Sequence, residues 1–205
     1  MIQSFYYNLY GQVIVMPDNN IHYKFFDGIS RDTSVASGVF DILVMCNDEF
    51  IPPLNTRKTT VQKELSETTS FEQTPQSYFR EVIDQQNIIA FDGEMVVAFM
   101  SFKYNFKDNV FSAVINGKVN NYISTICTHK NYRKLGIAQA LYDYVENTLP
   151  IEFASKYVST RTWSTNNSHI NLLLRRDYVL VKKIPNDREF NSVKYDSVYF
   201  YRENK

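Results

Sequence analysis

The chain has 205 residues, enough to bury a substantial core in one domain, or in one domain with an elaborated end over residues 1–20. Lys plus Arg and Asp plus Glu both total 22, and a formal charge of zero argues against a general nucleic-acid or acidic-membrane binder, which needs net positive charge. Cys46 and Cys127 are the only cysteines and no C-x-x-C or Cys/His cluster occurs, so neither a disulfide framework nor a zinc site is indicated.

The N-terminal stretch lacks a basic segment followed by a long apolar run, and no segment approaches the roughly 20 apolar residues of a membrane span. The expectation is a soluble cytoplasmic protein with no metal. Fifteen Phe and fifteen Tyr suit half-buried sheet faces, core packing being their commoner use.

Residues 2–15 predict one or two short strands, broken at Gly11 and closed by Met16-Pro17. Ile21 to Phe26 is a clearer strand ended by Asp27-Gly28, with His22 at an ordinary alternating position. Asp32 or Thr33 caps a helix through Val44-Met45 that turns Val35, Val39, Ile42 and Leu43 to the core. Pro52-Pro53 then excludes regular structure, and a polar stretch runs to Ser70, too long for an idle connection.

Thr74-Pro75 begins a helix carrying Tyr78, Phe79, Val82 and Ile83 inward, to end near Gln86. Asp92-Gly93-Glu94 joins two β-rich runs as a hairpin, and the second, Met95–Phe102, is apolar enough to be buried on both faces. Asp108-Asn109 and Asn116-Gly117 mark turns. Beyond the central unit described next, Tyr157–Trp163 is a strand and Ser164–Ser168 supplies capping residues for a short helix through Ile170, Leu173 and Leu174. Tyr178–Ile184 is a strand, Pro185–Arg188 a polar loop, and Ser197–Tyr201 the last strand.

The rest is organised around Asn121–Leu149, a buried strand over Tyr122–Thr128, a basic turn, and an amphipathic helix with Ile137, Leu141, Tyr144, Val145 and Thr148 on one face. Between them, Arg133-Lys134-Leu135-Gly136-Ile137-Ala138 turns extended chain into helix. The first amides of a helix have no internal partners, and together with the helix dipole they suit an anion such as phosphate. Gly136 removes a Cβ where a ligand would approach, Ala138 nearly does so, and Arg133 and Lys134 add mobile positive charge. An ordinary strand-to-helix connection with solvated basic residues explains the same spacing.

Arg133–Ala138 resembles the R/Q-x-x-G-x-G/A pyrophosphate loop of the GNAT superfamily of acyl-CoA-dependent N-acyltransferases, and the flanking strand, Tyr132 and Ala140-Leu141-Tyr142 fit that motif. Asn167 with Leu173, Leu174 and Tyr178 partly resembles the family's second motif, N-x-x-A-x-x-L-Y-x-x-x-G-F, with Ile170 at the alanine, Asp177 at the glycine and Leu174 at the tyrosine. The resemblance implies an α/β (α+β) fold, a mixed and mostly antiparallel central sheet flanked by helices. It also implies acetyl-CoA as co-substrate. The contacts it assigns to CoA are Ile126, Cys127 and Thr128 on the strand, Arg133, Lys134, Leu135, Gly136, Ile137 and Ala138 on the loop, and Asn167. Phe50, Pro52, Leu54 and Arg57 become candidates for the acceptor side.

In the family the second-motif tyrosine commonly protonates the departing thiolate, so Leu174 leaves that role unassigned. Thr128 and His169 are the side chains offered for catalysis, with a water chain as the alternative base and a surface position the expected fate of His169. His129 reads as a solvated turn residue. Cys127 reads as a small buried thiol rather than a nucleophile, since no activating base adjoins it. The implied partner is a small-molecule or peptide amine, with no nucleic acid and no membrane; a homodimer is compatible with the chain. The competing readings are a non-catalytic acyl-CoA-binding or regulatory module and a ligand-free interaction domain.

Overall fold

A computed structural model describes residues 20–56 and 74–204, together with the backbone of two short antiparallel strands, β1 (Phe5–Tyr7) and β2 (Val13–Val15). Arg57 and most of the expected acceptor loop lie outside the described residues. Chain order continues as β3 (Ile21–Asp27), α1 (Thr33–Met45), α2 (Pro75–Ile83), β4 (Gln86–Asp92) and β5 (Met95–Lys103). It then runs α3 (Ser112–Ile115), β6 (Asn120–Thr128), α4 (Ile137–Asn147), β7 (Tyr157–Trp163), α5 (Asn167–Arg175), β8 (Val179–Phe190) and β9 (Val193–Glu203).

Local signals set these boundaries. The Asp32 carboxylate accepts from the Val35 amide at the start of α1, as an N-cap should. Thr74 and Ser77 form a reciprocal capping box with Pro75 in the first helical turn of α2. Gly93, at φ 58, opens the two-residue turn between β4 and β5.

β3 to β9 form one seven-stranded sheet in the order β3-β4-β5-β6-β7-β9-β8. Every neighbouring pair is antiparallel except β6 and β7. The central strand β5 is buried on both faces. Phe99 packs with Val39 and Leu43 of α1 and Val82 of α2, while Met100 and Phe102 pack with Leu141, Tyr142 and Val145 of α4. A helical layer therefore covers each face, the layered arrangement of α+β domains.

Two expectations are corrected here, and one short helix is added between the turns at Asp108-Asn109 and Asn116-Gly117. Pro185–Arg188 is not a loop but part of β8, which continues to Phe190 through a register shift between Ile184 and Arg188. A proline needs no ladder partner on an edge strand, and β8 is the edge. Ser112–Ile115 is a short helix, with the Asp108 carboxylate accepting from the Val110 and Phe111 amides just before it. Pro52 and Leu54 are buried rather than presented to an acceptor, and Leu54 sits in the core under α1 and α2.

Candidate active site

The parallel strands β6 and β7 stay in register only from Asn120↔Tyr157 to Ile123↔Thr160. The Thr160 hydroxyl closes the last rung by donating to the Ile123 carbonyl at 3.1 Å. Beyond it the strands part, so β6 from Thr125 to Thr128 is paired to β5 alone, with Ser124 the extra residue of a bulge between them. The gap opens into a cleft of about 720 Å³, within the usual size of a small-molecule site. Ile126, Cys127 and Thr128 line its β6 wall, and Arg133, Lys134, Gly136, Ile137 and Ala138 line its mouth.

The mouth is built for an anion. Lys134 at φ 64 and Gly136 at φ 80 turn the chain so that α4 starts at the cleft. Among the described residues none of the amides from Lys134 to Gln139 donates to a protein acceptor, and the first to do so is Ala140, to the Gly136 carbonyl at 3.0 Å. A Cβ at Gly136 would meet nothing within 4 Å. Six consecutive unbonded N–H groups at the positive end of a helix match the oxygens of a diphosphate. Arg133 is less free than expected: its guanidinium pairs with Glu49 at 2.6 Å, and its Nε donates to the Thr128 carbonyl at 3.2 Å. It therefore fastens the loop to β6 and to the turn after α1.

The family model described as the acetyltransferase (GNAT) family matches residues 57–178, more than half of the chain. The chain belongs to the GNAT acetyltransferase family. In fold it is similar to NAA60 of Arabidopsis thaliana in complex with acetyl-CoA, with a TM-score of 0.60 and 18% identity over 90% of this chain and 98% of that one. An N-acetyltransferase from Staphylococcus aureus gives a TM-score of 0.58 at 13% identity, over 91% and 100% of the two chains. At such identities the likeness is one of fold. A sequence search of the curated proteins found no match.

Against this GNAT frame two of the expected CoA contacts fall outside the cleft lining. Leu135 is turned toward the core beside α4, and Asn167 is an exposed residue of the first turn of α5. Its neighbour Asn166 faces the cleft instead, capping α5 by accepting from the His169 amide at 3.3 Å. Leu174, at the position of the family's tyrosine, is 55% exposed and is not part of the lining. Of the acceptor-side candidates among the described residues, Phe50 alone reaches the cleft, edge-on to Tyr78 at 5.7 Å. Tyr78, expected in the core, lines the cleft and shares a 2.6 Å hydrogen bond with Thr125 of β6.

The two thiols meet at the cleft. Cys46 and Cys127 hydrogen-bond to one another, and Arg133 Nη2 donates to Cys46 Sγ at 3.7 Å. The bond to Cys46 and then burial push the Cys127 thiol up, so it is protonated at neutral pH. The partner bond and Arg133 move Cys46 the other way.

His169 is not a surface residue. It is half-buried, lines the cleft, and shares a 2.7 Å hydrogen bond between Nε2 and the Tyr142 hydroxyl. Burial pushes its pKa down to about 4, so the imidazole is neutral in the fold. Unfolded histidine binds its proton below about 6.5 whereas folded His169 does not, so stability falls as pH drops from 6.5 toward 4. The expected loss is on the order of 2–3 kcal/mol across that window. His169→Gln should flatten that part of a pH–Tm profile, and a wild-type slope shared by the variant would contradict the assignment.

Among the described residues no group of three His, Cys, Asp or Glu is placed to hold a metal ion, and no helix is long and apolar enough to cross a membrane.

Proposed function

We propose that the protein transfers an acetyl group from acetyl-CoA directly to a primary amine held in the same cleft. The run of unbonded amides from Lys134 to Gln139, opening beside the unpaired flank of β6, carries this reading. When bound, acetyl-CoA would supply an activated thioester: its carbonyl oxygen gains negative charge as the amine attacks, the C–S bond then breaks, and the departing CoA thiolate takes the second proton of the attacking nitrogen, directly or through water. The Ile126 and Thr128 amides, on the flank of β6 turned away from β5, are the donors we assign to that charge, and such a preorganised donor is usually the largest electrostatic contribution. The loop and α4 fix the diphosphate, so β6 fixes the reacting carbon relative to the acceptor.

The acceptor's ammonium must lose a proton. The wall opposite α4 is polar there, with Ser124 donating to Gln85 at 2.5 Å and Thr125 bonded to Tyr78. Glu81 of α2 lines the same wall, and we assign it, directly or through water, as the proton's destination. His169, neutral and tied to Tyr142, serves to hold α5 against α4. Cys127 stays protonated and acts as packing, so a covalent acyl-cysteine is not used.

A thiol-release screen of acetyl-CoA against a broad amine and peptide panel tests the proposal. Cys127→Ala should keep turnover within a few-fold of wild type; loss of all turnover with acetyl-CoA binding intact would establish the covalent route instead. The exposed Leu174 favours a second reading, a GNAT module that binds acyl-CoA without catalysis. It predicts binding with no thiol release on any amine.

A further inference from the structure

Basic side chains beyond the loop before α4 also line the cleft. Lys103, Arg161 and Arg188 line it in addition to the basic residues near α4, while the whole chain has a net charge of zero. Of these, Arg161 is the informative one. It is the first residue of β7 past the last rung shared with β6, where the cleft begins. Across the sheet it pairs with Tyr199, which packs with Phe111 and Tyr122, whereas its neighbour Thr160 pairs with Phe200 in the core under α4. Residues paired across strands share a face. Arg161 therefore projects to the side of the sheet away from α4, where Tyr78 and Glu81 stand.

Its guanidinium is held but not neutralised. Trp163 lies beside it, 5.4 Å from ring centroid to Cζ, and Tyr199 is its neighbour across the strands. Nη1 is cut off from solvent and has no hydrogen-bond partner among the described residues. Arg161 forms no ion pair among the described residues. The nearby carboxylate, Asp187, is itself buried, accepts from the Ser197 hydroxyl at 2.6 Å, and stands 3.8 Å from Arg188 Nε. A half-buried guanidinium never sheds its proton, and leaving it without a counter-charge is costly. Arg161 lines the cleft, so an anion would reach the rest of its guanidinium from there.

We infer that Arg161 receives a carboxylate of the acyl acceptor, so that the favoured substrate is a small amine that also carries a carboxylic acid, as an amino acid does. This inference rests on the acetyltransferase reading above. A planar carboxylate matches the two-pronged guanidinium, and Trp163 restricts the fork's rotation. Binding there sets the amine beside β6 at the point where β6 and β7 separate, since both positions adjoin the Ile123–Thr160 rung. Arg161 is thus a positioning residue for the acceptor rather than a participant in proton transfer.

The test uses the full chain saturated with CoA. A panel of amino acids and their matched carboxamides is titrated by thermal shift, and the same pairs are run with acetyl-CoA for thiol release. The inference expects at least one acid to bind about 10–100-fold more tightly than its amide, the range of a charge-assisted pair. Arg161→Met should raise KM for that acid to the level of the amide with kcat largely retained, and Arg161→Lys should restore part of the preference. Acids and amides that are indistinguishable across the panel, or a preference that survives Arg161→Met, would overturn it. The wild-type comparison decides the point even if a variant fails to fold. Absence of any CoA-induced shift would instead sink the acetyltransferase reading itself.

Discussion

Gly136→Glu should abolish acetyl-CoA binding, lowering affinity on the order of 100-fold or more, while the chain stays folded. Gly136 sits at φ 80, in the left-handed region, and caps α4 with no side-chain hydrogen bond. Because a Cβ there meets nothing within 4 Å, the new carboxylate extends into the cleft mouth rather than into the core. It would stand where the amides of Lys134–Gln139 are otherwise free for phosphate oxygens. The backbone strain costs about 1 kcal/mol, a few degrees of Tm in a chain of this size. Gly136→Ala carries the same strain without the charge and should keep most of the affinity. Calorimetric affinity unchanged in Gly136→Glu would remove the diphosphate from this loop.

Glu146→Ala should be the most destabilising single substitution in the α4 layer, by about 3–5 kcal/mol, or roughly 10 °C of Tm. The Glu146 side chain is 1% exposed and accepts from Arg176 at 2.5 and 3.2 Å, from Tyr178 at 3.1 Å, and from Arg202. Arg176 also reaches Asp143 at 2.6 Å, but Asp143 is half exposed and cannot neutralise both guanidiniums. Removing Glu146 strands buried positive charge where α4, α5 and β9 meet. Because α4 presents the amides to which the diphosphate is assigned, a looser α4 should also weaken acetyl-CoA binding. A Tm change below about 3 °C would show that Arg176 and Arg202 are not held as described.

Where function is carried by contiguous residues, the sequence was readable. Asp32, Thr74-Pro75 and Tyr157–Trp163 mark their elements because caps and β-branched runs act within a few residues. The strand–loop–helix unit from Asn120 to Asn147 was legible for the same reason, and its glycine does adopt the backbone that the turn demands. What escaped depends on contacts made far along the chain. His169 looks like a surface residue until Tyr142, 27 positions away, supplies its partner. Tyr78 is spaced as core and finds Thr125 at the cleft only because the strands β6 and β7 part there. Arg161 passes for a solvated strand charge until Tyr199 and Trp163 enclose it. Pro185 reads as a break because nothing local reveals that β8 would lie at the sheet's edge. Leu54 and Pro52, assigned to the acceptor by family likeness, are instead held in the interior.

Amide-resolved hydrogen exchange of the full chain, with and without acetyl-CoA, addresses the central claim most directly. New protection is expected at the Ile126 and Thr128 amides and at Leu135–Gln139, with α2 and the β8–β9 hairpin little changed. Acetyl-CoA that left those two segments exchanging as in the free protein, or that protected some other surface, would contradict it.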